Sequence, residues 1–370
     1  MPVSEFRLYF DGAQADEERL GPFHEVKVDQ AIGMATEAEL SMNVGADELG
    51  RWSDLDADFL QAERRVRVEV RTGTNDFTPL IDGPIVGQRF EMSASPNESR
   101  IIVIVQDDSV LLNRSEEVEL YENMAPHEIA QRLFQDHGLA AQVDSTPSVS
   151  GGPARYIVQR GTAMHLLREL ARRHGMFVYV KPGDTPGNSI GLFVRPDLSS
   201  SDLPEILLMG ADRNVNSFQA QFDALRPMTA RAGNVKISDQ SLLTSETTQS
   251  SLAEQGDEAA HSTVTAGTTL LARTREETAD LDAATEAAVN HSSWAYTADA
   301  EVVSDMYAGV LLPYKTVRVR GAGGGLSGDY LISRVTHTIS HEQYRQQFTL
   351  RRNARSSGSS GGSGLPGGIF

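Results

Sequence analysis

The side chains of this 370-residue chain that could do chemistry are nine histidines, a few carboxylate pairs and numerous serines, with no cysteine at all. Lack of cysteine removes disulfides, thiolate nucleophiles and cysteine-ligated zinc or iron-sulfur sites. No His-Glu-x-x-His or related spacing occurs. His337 and His341, with Ile339 between them, fall on one face of a predicted strand, but a structural or solvent-exposed role is the better account than a metal pair. His174 falls in the last turn of a predicted helix, where a cation suits the dipole, and His127 with Glu128 occupies a helix start. The one Gly-x-Ser-x-Gly string, around Ser360, lies in the Gly/Ser-rich tail and not in a strand-to-helix elbow, so a hydrolase triad has no anchor. The pairs Glu276-Glu277 and Asp280-Asp282 lie in a polar segment and read as a solvated face, not as glycosidase carboxylates. Gly321, Gly323, Gly324 and Gly325 precede a strand and read as a turn, not a dinucleotide loop. Trp52 and Trp294 read as packing or interface residues before sugar platforms. The expectation is a non-enzyme with no catalytic, metal or cofactor-binding residue.

The elements that would hold these residues belong to an ordinary globular chain, 39% hydrophobic and 23% charged, long enough for more than one core. The balance of 51 acidic against 33 basic residues, net −18, disfavours nucleic acid as a partner because phosphate contacts need cations. No apolar run is long enough to span a bilayer, so no stable membrane insertion is expected. The start, MPVSEFRLYFDG, has no basic end leading into an apolar stretch, so synthesis is expected in the cytoplasm. Charge is uneven. From Asp239 to Asp305 there are 13 acidic residues against Arg273 and Arg275, a balance of −11; from Gly309 to Arg355 there are 8 basic against 2 acidic, a balance of +6. Such neighbours of opposite sign are either two solvated faces or complementary charge between subunits.

Period-2 alternation marks half-buried strands at Phe6 to Phe10, Glu25 to Val28, Ala38 to Val44, Arg65 to Arg71, Pro84 to Met92 and Arg100 to Gln106. Residues 1–115 therefore predict a β domain, a sandwich or barrel. Residues 116–204 predict a small α/β domain. Its first helix spans 126–137, with Pro126 at the start and Gly138 as the left-handed stop. Its second spans 163–174, with Thr162 as N-cap and a stripe of Ala163, Leu166, Leu167, Leu170 and Ala171. Strands then recur at 205–238 and 309–355, predicting the two halves of one β domain interrupted by an acidic insertion at 239–308, itself mostly loop with one helix from Arg275 to Val289. Residues 356–370 read as a Gly/Ser-rich C-terminal tail. The fold class expected is α+β and β-rich, with two β domains, a small α/β domain and an α/loop insertion.

Four segments in order resemble the phage late control protein D family, tail hubs related to the first part of type VI secretion VgrG spike proteins. They are residues 156–180 (YIVQRGTAMHLLRELARRHGMFVYV), 120–139 (LYENMAPHEIAQRLFQDHGL), 310–352 with its Gly-Asp-Tyr and Val-x-His strands, and 80–93 followed by 101–114. Ala125 stands where the family's helix cap is usually a hydroxyl.

This resemblance implies two tube-like β-barrel domains, at 1–115 and at 205–238 plus 309–355, in a structural baseplate hub of a contractile tail or injection system. The hub would be a homotrimer that adapts a hexameric tail tube to a trimeric central spike carried on a separate chain, alongside other baseplate components. It would reside in a virion tail baseplate or an extracellular phage-like particle. A tail-associated peptidoglycan hydrolase and a host-binding adhesin module are the alternatives from other classes.

Overall fold

The computed structural model describes residues 4–45, 52, 57–93, 95, 98–146, 156–236, 239–271, 278–340 and 342–357. The first part runs β1 (Ser4–Phe10), β2 (Ala13–Gln14), a short helix α1 (Glu17–Leu20), β3 (Phe23–Ala31), β4 (Glu37–Asn43), β5 (Arg65–Thr72), β6 (Thr78–Glu91) and β7 (Arg100–Gln106). The middle part runs β8 (Glu116–Glu122), α2 (Pro126–Asp136), β9 (Ala140–Val143), β10 (Tyr156–Thr162), α3 (Ala163–Arg173), β11 (Phe177–Pro182) and β12 (Ser189–Val194). The last part holds β13 (Ile206–Leu207), β14 (Ser217–Phe222), β15 (Met228–Val235), β16 (Leu242–Thr247), β17 (Glu258–Ala259), β18 (Gly267–Leu271), α4 (Thr278–Ser292), β19 (Tyr296–Val303), β20 (Thr316–Arg320), β21 (Gly328–Ser340), β22 (Tyr344–Arg352) and β23 (Ala354–Arg355). This is the β-rich α+β class expected from the sequence.

Alternation in the strands builds two β cores. Inward residues of β1 and β3 to β7, among them Leu8, Val28, Leu40, Val68 and Val103, close the first; Ala298, Val302, Val317, Ile332, Val335 and Leu350 close the second. The two are hydrogen-bonded into one 13-stranded sheet, because β3 pairs antiparallel with β21 from Arg334 opposite Ala31 to Ser340 opposite Glu25. Long β6 turns the sheet: it pairs with β5 through Pro84 and with β7 from Ile85 onward, with register shifts in both ladders.

The middle part has its own core, centred on the apolar stripes of α2 and α3. Ile129, Ala130, Leu133 and Phe134 of α2, and Leu166, Leu167 and Leu170 of α3, are all buried. Burying each large aliphatic chain contributes about 1.5–3 kcal/mol. Thr162 caps α3 by accepting the His165 N–H at 3.1 Å, as its position before the apolar stripe requires. Both helices end before a glycine in the left-handed region, Gly138 at φ 75° and Gly175 at φ 63°. Ala125 begins α2 without a side-chain cap; instead Glu128 reaches back to the Ala125 N–H at 2.6 Å.

Sheet β11-β12-β9 packs on α2 so closely that a Cβ on Gly191 would lie 2.2 Å from the Phe134 ring. Gly191→Ala should therefore lower stability by about 1–3 kcal/mol through overpacking. A denaturant midpoint unchanged from wild type would show that the ring can move aside at no cost.

The structure departs from the sequence reading in three regions, and the stretch 239–271, expected to be loop, also carries the short strands β16, β17 and β18. β19, in a stretch expected to be loop, is an interior strand between β14 and β22. Its inward residues are Tyr296, Ala298, Ala300 and Val302, an alternation whose middle two members are small. β15, expected among the main-sheet strands, instead forms a separate sheet with β16 and β18, against which α4 lies. The alternation of β5 suggests a strand with one wet face, yet Val66 to Val70 are buried on both faces because Arg67 and Glu69 are covered.

Candidate interaction surfaces

The residues singled out for chemistry are occupied in structural work. His337 is fully buried in β21, with Nδ1 2.7 Å from the Tyr344 hydroxyl and Nε2 3.1 Å from Gln30 Oε1. His341 lies outside the described residues, as do Glu276 and Glu277. His174 is the residue that closes α3. The His127 ring meets the Thr146 hydroxyl at 3.0 Å. Asp282 accepts the Ser245 hydroxyl at 2.6 Å, while Asp280 is buried. The solvated face expected for that pair is thus corrected for Asp280 alone: α4 lies on the β15-β16 surface, with Asp282 still exposed. Gly321 and Gly323 form the turn between β20 and β21, with φ of 80° and 90°. Trp294 is buried and Trp52 is exposed. Among the described residues no cluster of three metal-ligating side chains occurs.

A cleft of about 700 Å³ opens where the three parts meet. Two of its carboxylates are engaged by neighbouring chain: Asp144 accepts the Arg195 N–H at 2.8 Å, and Asp197 accepts the Ser199 N–H at 2.9 Å. Hydrogen bonds from Ser199 hold the Asp197 carboxyl below its usual range. Tyr314 stacks on Tyr179 at 3.7 Å between ring centroids, and its hydroxyl accepts the Gly33 N–H at 3.0 Å. This cleft wall ties all three parts together.

What remains unpartnered is surface. The ribbon β8-β10 pairs with no other described strand. Its inner face, Tyr121 and Ile157, packs on α2 and α3. On its outer face Leu120 stands opposite Val158 and Val118 opposite Arg160, with Glu122 beside Tyr156 at one end and Glu116 beside Thr162 at the other. Val118 is 84% exposed and Leu120 55%. A patch with an apolar centre, a tyrosine, an arginine and a charged rim has the composition of a protein interface. The main sheet ends on β14, whose sequence, SFQAQF, carries no charge and no proline to discourage strand addition, and Leu225 just beyond is 90% exposed. Composition alone did not reveal these surfaces, although alternation of Val118, Leu120 and Val158 with buried partners was available to reveal the ribbon.

The oppositely charged segments meet partly within the chain. Arg355 pairs with Glu258 at 2.7 Å across β17-β23, and Arg345 with Glu301 at 3.8 Å across β19-β22.

Solved structures place this fold. It resembles the 43 kDa tail protein of prophage MuSo2 from Shewanella oneidensis, with TM-score 0.65 and 14% identity over 95% of this chain and 98% of that one. It resembles a tail protein from Neisseria meningitidis, with TM-score 0.61 and 12% identity over 94% of this chain and 96% of that one. A third is an Escherichia coli component of the type VI secretion system described as similar to bacteriophage tail proteins, with TM-score 0.57 and 13% identity over 94% and 77% of the two chains. The architecture is that of phage tail and type VI secretion proteins. The family model described as the Alg8 N-terminal domain matches residues 3–341, and the chain belongs to that family. No curated protein sequence matches it.

Proposed function

We propose that the chain is a non-enzymatic baseplate hub of a contractile tail or injection system, of the late control protein D kind. Three copies form a ring that adapts a hexameric tail tube to a trimeric spike on a separate chain. The observation that carries this reading is the pair of β cores within one polypeptide, joined through the β3-β21 ladder. A subunit with two β units arranged about a common axis lets three copies present six positions, so threefold and sixfold partners can both be met. In this reading residues 1–115 supply one tube-like barrel, and β13, β14 and β19 to β22 supply the other, with β19 drawn from the expected insertion at 239–308. Residues 116–204, the β15-β16-β18 sheet and α4 form the periphery, and residues 356–370, of which 358–370 lie outside the described part, form a tail. The particle, assembled in the cytoplasm, is a virion tail or an extracellular phage-like device. Likeness to two tail proteins over nearly their whole length supports it.

Native mass spectrometry should give a species near three times 40.2 kDa, alone or with tube and spike proteins added. A monomer that persists with both partners present would defeat the proposal.

A further inference from the structure

The two β units are built on one plan. Across the first runs the row Val28, Ala38, Val105 and Ile85, on β3, β4, β7 and β6. Across the second runs the row Ala220, Ala298, Leu350 and Ile332, on β14, β19, β22 and β21. Every ladder in both rows is antiparallel. Just past the row, β6 and β21 each carry a register shift against their partner, between Ile85 and Gly87 and between Ile332 and Arg334. β6 thus corresponds to β21, and β14 to β3.

The joint inside the chain uses one edge of each unit: β21 of the second pairs with β3 of the first, and His337, on β21 past Ile332, stands opposite Val28. The corresponding edges, β6 of the first unit and β14 of the second, are left over. Among the described strands, β6 beyond Pro84 pairs with β7 alone, and β14 pairs with β19 alone. Phe90 lies as far past Ile85 as His337 lies past Ile332. It stands opposite buried Ile101 and so on the core side of the sheet, yet it is exposed, where its counterpart His337 is fully buried. Phe222, opposite buried Tyr296, is exposed as well. Single exposed apolar side chains are ordinary, but an exposed aromatic on the core side at each of two open sheet edges marks a contact not made within one copy.

We propose that β6 of one copy pairs antiparallel with β14 of a second copy, repeating between copies the joint that β21 and β3 make within one. The correspondence fixes the register: Phe90 stands opposite Ala220, Arg89 opposite Gln221 and Glu91 opposite Gln219. No like charges are opposed, and Phe90 gains Phe218 and Phe222 as diagonal neighbours. Each copy offers one edge of each kind, so the contact runs head to tail and closes into a ring that leaves neither edge bare. It rests on the reading of the chain as a multi-copy ring and names the strands that join its copies.

The chain has no cysteine, so a cysteine pair tests the register directly. Arg89 and Gln221 are both exposed, and across the proposed ladder they come within disulfide reach. Within one copy the strand order separates β6 from β14 by roughly 33 Å along the sheet. Oxidised with tube and spike proteins present, Arg89→Cys with Gln221→Cys should run as a covalent trimer in denaturing gels. Arg89→Cys with Ser217→Cys should not, because its sulfurs would be offset along the ladder beyond bonding distance. Reduced, both chains should sediment like wild type, which shows them folded. Ala220→Pro should weaken self-association by at least about tenfold. The Asp223 N–H bonds the Ala295 carbonyl, so alternation turns the Ala220 N–H away from β19, and proline removes that donor from the outer edge while sparing the β14-β19 ladder. A wild-type trimer whose Arg89-Gln221 cysteine pair cross-links no better than the offset pair refutes the β6-β14 ladder and leaves the hub reading standing. A wild-type chain that stays monomeric with tube and spike proteins present removes both.

Discussion

Replacing Arg67 with methionine should lower stability by about 3–5 kcal/mol, the cost of removing one member of a buried ion-pair network and leaving the others uncompensated. Arg67 is 2% exposed. Its Nε meets Glu69 at 2.7 Å, and its Nη1 meets Asp82 at 3.2 Å and donates to the Gly183 carbonyl at 2.8 Å. Asp82 also accepts from Arg65 at 2.7 Å and from the Gly187 N–H at 2.9 Å, and Arg65 in turn pairs with Asp108. The network therefore fastens the β11-β12 turn of the middle part to β5 and β6 of the first. Methionine keeps much of the apolar stem but leaves Glu69 with only the Tyr9 hydroxyl, at 3.2 Å, and Asp82 with Arg65 and the Gly187 N–H, and it frees the turn. Arg67→Lys should fall between, since an ammonium keeps the charge but cannot fork between two carboxylates and a carbonyl. Hydrogen exchange should quicken first at residues 183–189, ahead of global unfolding. A loss below about 1 kcal/mol, with exchange at the turn unchanged, would mean the pairing contributes no more than a surface salt bridge.

Sequence reached the elements more easily than the contacts between them. The strands of the first core and both helices of the middle part were legible because apolar residues recur at the strand and helix periods and because Thr162, Pro126, Gly138 and Gly175 punctuate them. β19 reads as loop because Ala298 and Ala300 weaken the middle of its face, although Tyr296 and Val302 carry the same alternation at its ends. The covering of Arg67 and Glu69 was not legible: a charged residue alternating with valine reads as wet, and only the approach of a turn more than 100 positions away makes it dry. The β3-β21 ladder joins residues some 300 positions apart, a pairing that no local pattern encodes. For His337 the signal was present. It shares strand parity with Val335 and Ile339, both buried, so an inward histidine followed from alternation; what sequence lacked was its partners, Gln30 and Tyr344. The candidate surfaces were the least legible, because exposed apolar residues on a strand become informative only when the opposite face is known to be covered.

That buried histidine makes the joint between the two β units acid-sensitive. Gln30 donates its amide N–H to the Leu80 carbonyl at 2.7 Å, so its oxygen faces His337 Nε2. The ring is then the neutral tautomer with hydrogen on Nε2, and Nδ1 accepts from the Tyr344 hydroxyl. A second ring proton would bury a charge, and burial pushes the His337 pKa down to about 3, against a small opposing pull from Asp29. Unfolded, the same histidine takes its proton near pH 6.5. Above that pH neither state binds it, and the stability from the seated neutral ring is fully present. As the pH falls below 6.5 the unfolded chain binds one more proton than the folded one. Stability then drops by about 1.4 kcal/mol per pH unit, reaching about 2.5 kcal/mol by pH 4.5 and continuing to near pH 3. Other groups titrate in or near this range. His291 is also held down by burial and so acts in the same sense. Burial raises the Asp107 carboxyl, which acts in the opposite sense. Burial would raise Asp29 too, but hydrogen bonds from Arg334 and Thr336 outweigh it, so its contribution is lost only below the ordinary carboxylate range. The difference between wild type and His337→Gln isolates the one residue, because glutamine can still hydrogen-bond at the joint but does not titrate. Unfolding free energies measured from pH 7 to 4.5 should fall less steeply for the variant by one proton's worth, and acid should expose amides of β3 and β21 sooner in wild type. Parallel curves for the two chains would place the acid sensitivity outside the β3-β21 joint.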